Sequence, residues 1–256
     1  MLADRILRTT LSLADAALRA GYVRTVLASE PLEVVAEALD ALALKAELGE
    51  PDGREVLVAI VDALGDPALG ETVQRLREQA AGASLLPLDR LLRRPARQGP
   101  TTSDRPPRPP DYGYGRPLTL GERKSLARKP DRALLERLVH DPHPDVIRRL
   151  LANPRITEED VVRLACKRPA RADVLTEIAR TPRWVHRPRV RLALMLNPGT
   201  PFEVAAPIAA LLLRHELRLV AEYTYASQAL RALCLEHWRR RVPLPGEEDT
   251  EEPRLH

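Results

Sequence analysis

The chain has 256 residues, with 40 Lys/Arg against 36 Asp/Glu, and is 44% hydrophobic but only 3% aromatic. That length holds two modest domains or one extended repeat array. Leu, Ala and Val supply the apolar content without sustained period-two alternation, which excludes a strand-rich fold and predicts an all-α one.

Residues 2–20 are amphipathic, interrupted by Asp4, Arg5, Arg8, Asp15 and Arg19. They lack the unbroken apolar core of an export signal. Residues 208–213, the strongest later apolar run, are too short to span a bilayer. The two cysteines, Cys166 and Cys234, are far apart and lie in apolar helical patterns. They predict buried free thiols rather than a disulfide framework. Together these features predict a cytoplasmic protein with no membrane partner.

Residues 1–94 read as one helical region, with helices over 2–20, 32–48, 54–64, 68–80 and 84–93. The breakers are Gly49 to Gly53, Gly65-Asp66-Pro67 and Gly82. Val34, Val35, Ala38, Leu39 and Leu42 form an apolar stripe suited to a neighbouring helix. Residues 95–117 read as a linker, because seven of the 23 are proline and favour extended polyproline II. The alternative is a docking peptide for a proline-binding module.

Residues 118–243 form a second helical region with a proline rhythm. Helical runs end at Asp141-Pro142, Asn153-Pro154, Arg168-Pro169, Thr181-Pro182 and Asn197-Pro198. The intervals are 12, 15, 13 and 16 residues, each holding one three-turn helix, so a two-helix unit recurs about every 28 residues. Capping boxes are expected at Thr119/Glu122 and Thr200/Glu203, with a weaker version at Thr157 to Asp160. The end of the region, 202–241, predicts two helices that close the array. Residues 244–256 are an acidic tail expected to be disordered.

Residues 145–154 align with 189–198 at an offset of 44, and a threonine-led helix follows each copy. Leu196-Asn197-Pro198-Gly199-Thr200-Pro201-Phe202-Glu203-Val204 resembles the L-x-x-N-P-x-T-P-x-x-V phrase of the leucine-rich repeat variant family, a HEAT-like helical repeat. Leu151-Ala152-Asn153-Pro154-Arg155-Ile156-Thr157 is a looser copy. The resemblance covers residues 125–215 and implies an α-solenoid, a right-handed stack of short helices. Residues 1–94 share only generic HEAT-like character. The cysteine cluster that holds an iron–sulfur centre in one founding family member has no counterpart, so no cofactor is expected.

Charge divides along the chain. Residues 1–94 hold 11 Lys/Arg against 15 Asp/Glu, and residues 118–243 hold 24 against 14. The densest basic cluster is Arg180, Arg183, Arg187, Arg189 and Arg191, with Trp184 and His186 interleaved. A second is Arg163, Lys167, Arg168 and Arg171, and a third, Arg239 to Arg241, follows Trp238. Arginine beside an exposed indole can bind phosphate and stack on a base. The same residues also fit a solvated helix face, with Trp184 filling a seam.

No catalytic set is evident. His140 and His143 flank Pro142 without a third metal ligand, and His215-Glu216 lacks a second histidine four residues on. No metal is expected. The pattern predicts a non-enzymatic interaction adaptor with an acidic protein partner. The alternative is a nucleic-acid-binding protein, and a third reading is a HEAT-like base-excision enzyme, which rests on fold analogy alone. Oligomeric state is not readable.

Overall fold

A computed structural model describes residues 1–94 and 108–243. Among the described residues there are sixteen α-helices, one 3-10 turn and no strand, so the all-α class holds. The chain forms two compact units, Met1–Ala96 with Phe202–His256, and Arg97–Pro201. This division differs from the boundary read at residues 118–243: the last helices belong with the first ones. The expected linker lies outside the described residues over 95–107, as does the acidic tail over 244–256.

Unit 1 begins with α1 (Leu2–Ser12), α2 (Ala16–Ser29), α3 (Leu32–Glu47), α4 (Pro51–Leu64), α5 (Gly70–Gly82) and α6 (Leu86–Leu92). The single helix expected over 2–20 is two. The Asp15 carboxylate accepts from the amides of Ala17 and Leu18 at 2.8 and 3.1 Å, satisfying donors that a new helix leaves open. Helix α3 buries Val35, Ala38, Leu39 and Leu42 as its stripe requires, while Val34 remains exposed. It packs against α1, α4, α5 and α6. Gly49 ends α3 with a φ of +86°, and the Glu50 amide returns to the Lys45 carbonyl at 3.1 Å. Gly53 then lies inside α4 and not in a loop. A Cβ there would come within 2.7 Å of the Lys45 Cβ and 2.9 Å of the Ala46 nitrogen, so only glycine lets the two helices approach this closely.

Unit 1 is completed by α14 (Phe202–Ala209), α15 (Arg214–Glu222) and α16 (Gln228–Arg240), where the sequence pattern predicts two helices. Helix α14 packs on α6 and α16. The turn after α14 is held by arginines from remote helices. Arg241 donates to the carbonyls of Ala210, at 3.0 Å, and of Leu212, and Arg54 donates to that of Leu211 at 3.1 Å. Arg90 of α6 meets Glu47 of α3 bidentately at 2.8 and 2.5 Å, fully buried, and approaches Glu236 of α16 at 3.5 Å. A buried pair of this kind needs both partners, because losing one strands a charge.

The helices of unit 2 are α7 (Leu120–Leu126), α8 (Arg132–Leu138), α9 (Pro144–Leu151), α10 (Glu158–Cys166), α11 (Ala172–Ala179), α12 (Pro182–Val185) and α13 (Pro188–Met195). Apart from the four-residue α12, they have seven to nine residues, about two turns and not three. Capping boxes form at Thr119/Glu122 and Thr157/Asp160. The Thr200 hydroxyl instead donates to the Leu194 carbonyl at 2.6 Å.

The internal match at offset 44 has a structural basis. The Asn153 side-chain amide donates to the carbonyls of Ala127 and Lys129 at 2.8 and 3.0 Å, and its oxygen accepts from the Arg155 amide at 2.9 Å. Asn197 repeats this on Ala165 and Lys167, at 2.6 and 3.0 Å, and accepts from the Gly199 amide at 2.9 Å. Each asparagine follows one helix and closes the C-terminal end of the helix two or three elements earlier. The recurring feature is therefore an asparagine that closes an earlier helix end; α9 packs on both α7 and α11, and α13 on α10, with α12 inserted before α13. Both asparagines are 3% exposed, as buried amides with full bonding can be.

Candidate interaction surface

Counted by compact unit, residues 97–201 hold 22 Lys/Arg against 12 Asp/Glu, and the rest of the chain 18 against 24. The net of +10 over residues 97–201 equals that of residues 118–243, carried by a shorter stretch of chain.

The densest cluster, around α12, is divided by the structure. Trp184 is 2% exposed, and its Nε1 donates to the Leu151 carbonyl at 2.9 Å. The Arg183 guanidinium lies 4.4 Å from the indole centroid and donates to the Asn153 and Ile156 carbonyls at 3.2 and 3.4 Å. The indole is a core side chain beneath an arginine, so it offers no face to a base. Arg191 is also buried, at 8% exposure, and donates to the Val185 and His186 carbonyls at the end of α12, at 3.1 and 3.2 Å. Arg187 lies 4.0 Å from Glu158 and Arg189 2.9 Å from Glu159, both acids in the first turn of α10. Arg180 is exposed just beyond α11.

The second cluster separates likewise. Arg163 is exposed on α10. Arg168 donates to the Leu196 carbonyl at 2.8 Å, and Arg171 pairs with Asp173 at 2.6 Å. The Lys167 ammonium makes a long contact, 3.4 Å, with the His140 carbonyl. In the third cluster Arg239 and Arg240 are exposed, whereas Arg241 is buried in unit 1. Trp238 is buried too, with Arg214 4.2 Å over its ring.

Asp141 anchors the most elaborate polar centre of unit 2. Its side chain is fully buried and accepts from Arg123 Nη1 at 2.7 Å on both oxygens, from the His143 amide at 2.8 Å, and from the Tyr112 hydroxyl. These donors replace the water a buried carboxylate loses. Burial, and then the bond to Asp141, push the Tyr112 hydroxyl well above the usual phenol range, so it stays a donor at all physiological pH. Tyr112 thereby packs part of the expected linker, residues 108–117, into unit 2.

Beside this centre lies a cleft of about 210 Å³. One side is the α8–α9 loop, His140 to Pro142, and the other is the end of α10 and the start of α11, with Leu164, Lys167, Pro169, Arg171 and Val174. Arg108 also lines it. Of the three basic clusters, only Lys167 and Arg171 of the second reach the cleft. No local pattern brings Arg108 and His140 together with Lys167, since the walls are 22 or more residues apart in sequence.

Among the described residues no group of three His, Cys, Asp or Glu side chains could hold a metal. His143 Nδ1 accepts from the Asp145 amide at 3.1 Å as a helix cap, and Glu216 accepts from the Leu213 amide at 2.8 Å. Both cysteines are free; Cys234 is buried, but Cys166 is exposed, contrary to its apolar pattern. No described helix is long and apolar enough to cross a membrane. Comparison with protein-family models, curated proteins and solved structures finds no match for the chain.

Proposed function

We propose that the chain is a non-enzymatic adaptor of HEAT-like, leucine-rich repeat variant type, in which unit 2 is a short α-solenoid presenting a basic surface to an acidic protein partner. The observation that carries this reading is the fate of the basic clusters. Of the cations around Trp184, Arg183 and Arg191 are held by carbonyls and Arg187 and Arg189 face α10 acids, while Arg180 is exposed. Arg128, Lys129, Arg137, Arg149, Arg155 and Arg163 remain in solvent. That leaves positive charge on short rigid helices without the stacking indole that single-stranded nucleic acid favours.

The second reading, nucleic acid, is favoured by the net +10 of residues 97–201 alone. Affinity capture with the full chain, with and without nuclease, separates the two. Partners that survive nuclease and elute with moderate salt support the adaptor. Loss of every partner on nuclease treatment rejects it in favour of nucleic acid.

A further inference from the structure

The cleft beside Asp141 combines two properties. Lys167 and Arg108 bring positive charge to it, while Leu164, Val174, Pro142 and Pro169 make the remainder apolar. Its one carboxylate, Asp141, is already saturated by Arg123, Tyr112 and the His143 amide, and Arg171 is held by Asp173. The unbalanced charge facing the opening is therefore that of Lys167 and Arg108. Lys167 gives up little to leave its place, since its 3.4 Å contact with the His140 carbonyl is longer than an ordinary N–H···O bond.

Size decides what fits. Pockets for drug-sized molecules span roughly 300–1,000 Å³. At about 210 Å³, this cleft is smaller than those and takes one or two side chains. A nucleic-acid strand would instead need a groove tracking several phosphates, with faces for its bases. The walls are also well supported. The fully bonded Asp141 fixes the His140–Pro142 side, and Asn197, which bonds the Lys167 carbonyl, fixes the other.

We propose that this cleft docks an acidic peptide segment of a protein partner, with a carboxylate set against Lys167 and Arg108 and one adjacent apolar side chain against Leu164 and Val174. The proposal rests on the adaptor reading and names its contact point. Recognition combines one charged contact with one buried side chain, so affinity responds to both charge and shape.

The test is fluorescence anisotropy with the full chain and a labelled synthetic peptide, Glu-Asp-Glu-Leu-Glu-Asp-Glu, at low salt. A second peptide carries Ser in place of Leu, and a labelled oligothymidine is the competitor. The expected result is saturable binding of the first peptide. Lys167→Glu should weaken it about tenfold, as one lost attraction and one new repulsion at a part-exposed site. Arg108→Glu should act similarly, while Arg149→Glu, the same charge change on α9 away from the cleft, should have a smaller effect. The Ser peptide should bind several-fold more weakly. Melting curves accompany each variant; if Lys167→Glu melts early, Lys167→Ala and Arg108→Glu carry the comparison. Equal affinity for the Leu and Ser peptides, or equal losses from Arg149→Glu and Lys167→Glu, would overturn the cleft in favour of diffuse charge attraction. Displacement of the peptide by oligothymidine would overturn it in favour of a polyanion surface. Nuclease-resistant partners retained in full by Lys167→Glu would reject the cleft while leaving the adaptor reading intact.

Discussion

Replacing Asn153 by Ala tests whether the asparagine junctions hold unit 2 together. The side chain makes three hydrogen bonds, to the Ala127 and Lys129 carbonyls and from the Arg155 amide, at 2.8 to 3.0 Å, in a 3% exposed position. Each bond contributes about 0.5–1.5 kcal/mol net, and each buried group left unpaired costs about 1–3 kcal/mol. The Ala127 and Lys129 carbonyls sit just after the C-terminal end of α7, where orphan acceptors concentrate. Asn153→Ala should therefore cost about 3–5 kcal/mol, near the upper end of what single substitutions do. Asn153→Asp keeps the acceptor and removes both donors, so it should cost nearly as much. Asn197→Ala should match, because its bonds to Ala165, Lys167 and Gly199 reproduce the pattern. The two junctions share no partner, so the double variant should be additive to within about 0.5 kcal/mol. Urea unfolding followed by circular dichroism measures this, with the transition assigned to unit 2 by hydrogen exchange, since two units need not unfold together. A cost below about 1 kcal/mol for Asn153→Ala, with Asn197→Ala expensive, would break the equivalence of the two junctions.

His237, buried beside Arg241 and Arg90, is held down to about 3 chiefly by burial, below its ordinary 6.5. The unfolded chain then binds a proton that the fold does not, so stability falls as pH drops below 6.5. His237→Leu should shrink the difference between pH 7.5 and pH 4.5 urea midpoints by the equivalent of about 3 kcal/mol, and an unchanged acid slope would show that the imidazole protonates in place. Asp62 is raised to about 6 by burial, against Arg24, and its Oδ2 has no hydrogen-bond partner. Its ionisation above pH 6 penalises the fold, so Asp62→Asn should stabilise by about 1–3 kcal/mol at pH 7.5 and by nothing near pH 3.5; a gain that persists at low pH would point to another cause. Trp184→Phe removes the bond to the Leu151 carbonyl and should cost about 1–3 kcal/mol; in the parent chain acrylamide should quench tryptophan emission weakly, and strong quenching lost with Trp184→Phe would place that indole on the surface.

Features that depend on a few neighbouring residues were legible in the sequence. The boxes at Thr119/Glu122 and Thr157/Asp160 are such cases, because cap donors and acceptors lie three residues apart. The Asn-Pro phrases were legible as a recurrence but not as a mechanism. Asn153 bonds backbone carbonyls 24 and 26 residues earlier, and a backbone acceptor carries no side-chain signature. The break before α2 was missed because Ser12 to Asp15 contains neither Gly nor Pro, and Asp15 read as a charge on a helix face when it is a cap. The membership of α14–α16 in unit 1 depends on Arg54, Arg90 and Arg93 meeting residues more than 140 positions away. No local periodicity reports such pairing. The cleft failed for the same reason: its walls come from three segments that only the fold assembles.

The many arginines follow from the many short helices. Every helix leaves four carbonyls without an intrahelical partner, and sixteen helices among the described residues multiply that deficit. Water satisfies the exposed ends. The buried ends recruit guanidinium groups, whose length and planar donors reach across a helix seam. Arg241 and Arg54 do this after α14, Arg231 on the Ala221 carbonyl of α15, Arg191 after α12, and Arg183 on the Asn153 and Ile156 carbonyls beyond α9. Arginine count therefore overstates the charge free for a ligand. A carbonyl does not neutralise the guanidinium it binds, but it fixes where that charge sits and removes donors a phosphate would use. The cations left for a ligand are those with neither a carbonyl nor a carboxylate to hold them, such as Arg149 and Arg163, and those held by one long contact, such as Lys167. Lys167 alone of these three lies at an apolar cleft, which is why the proposed docking turns on that position.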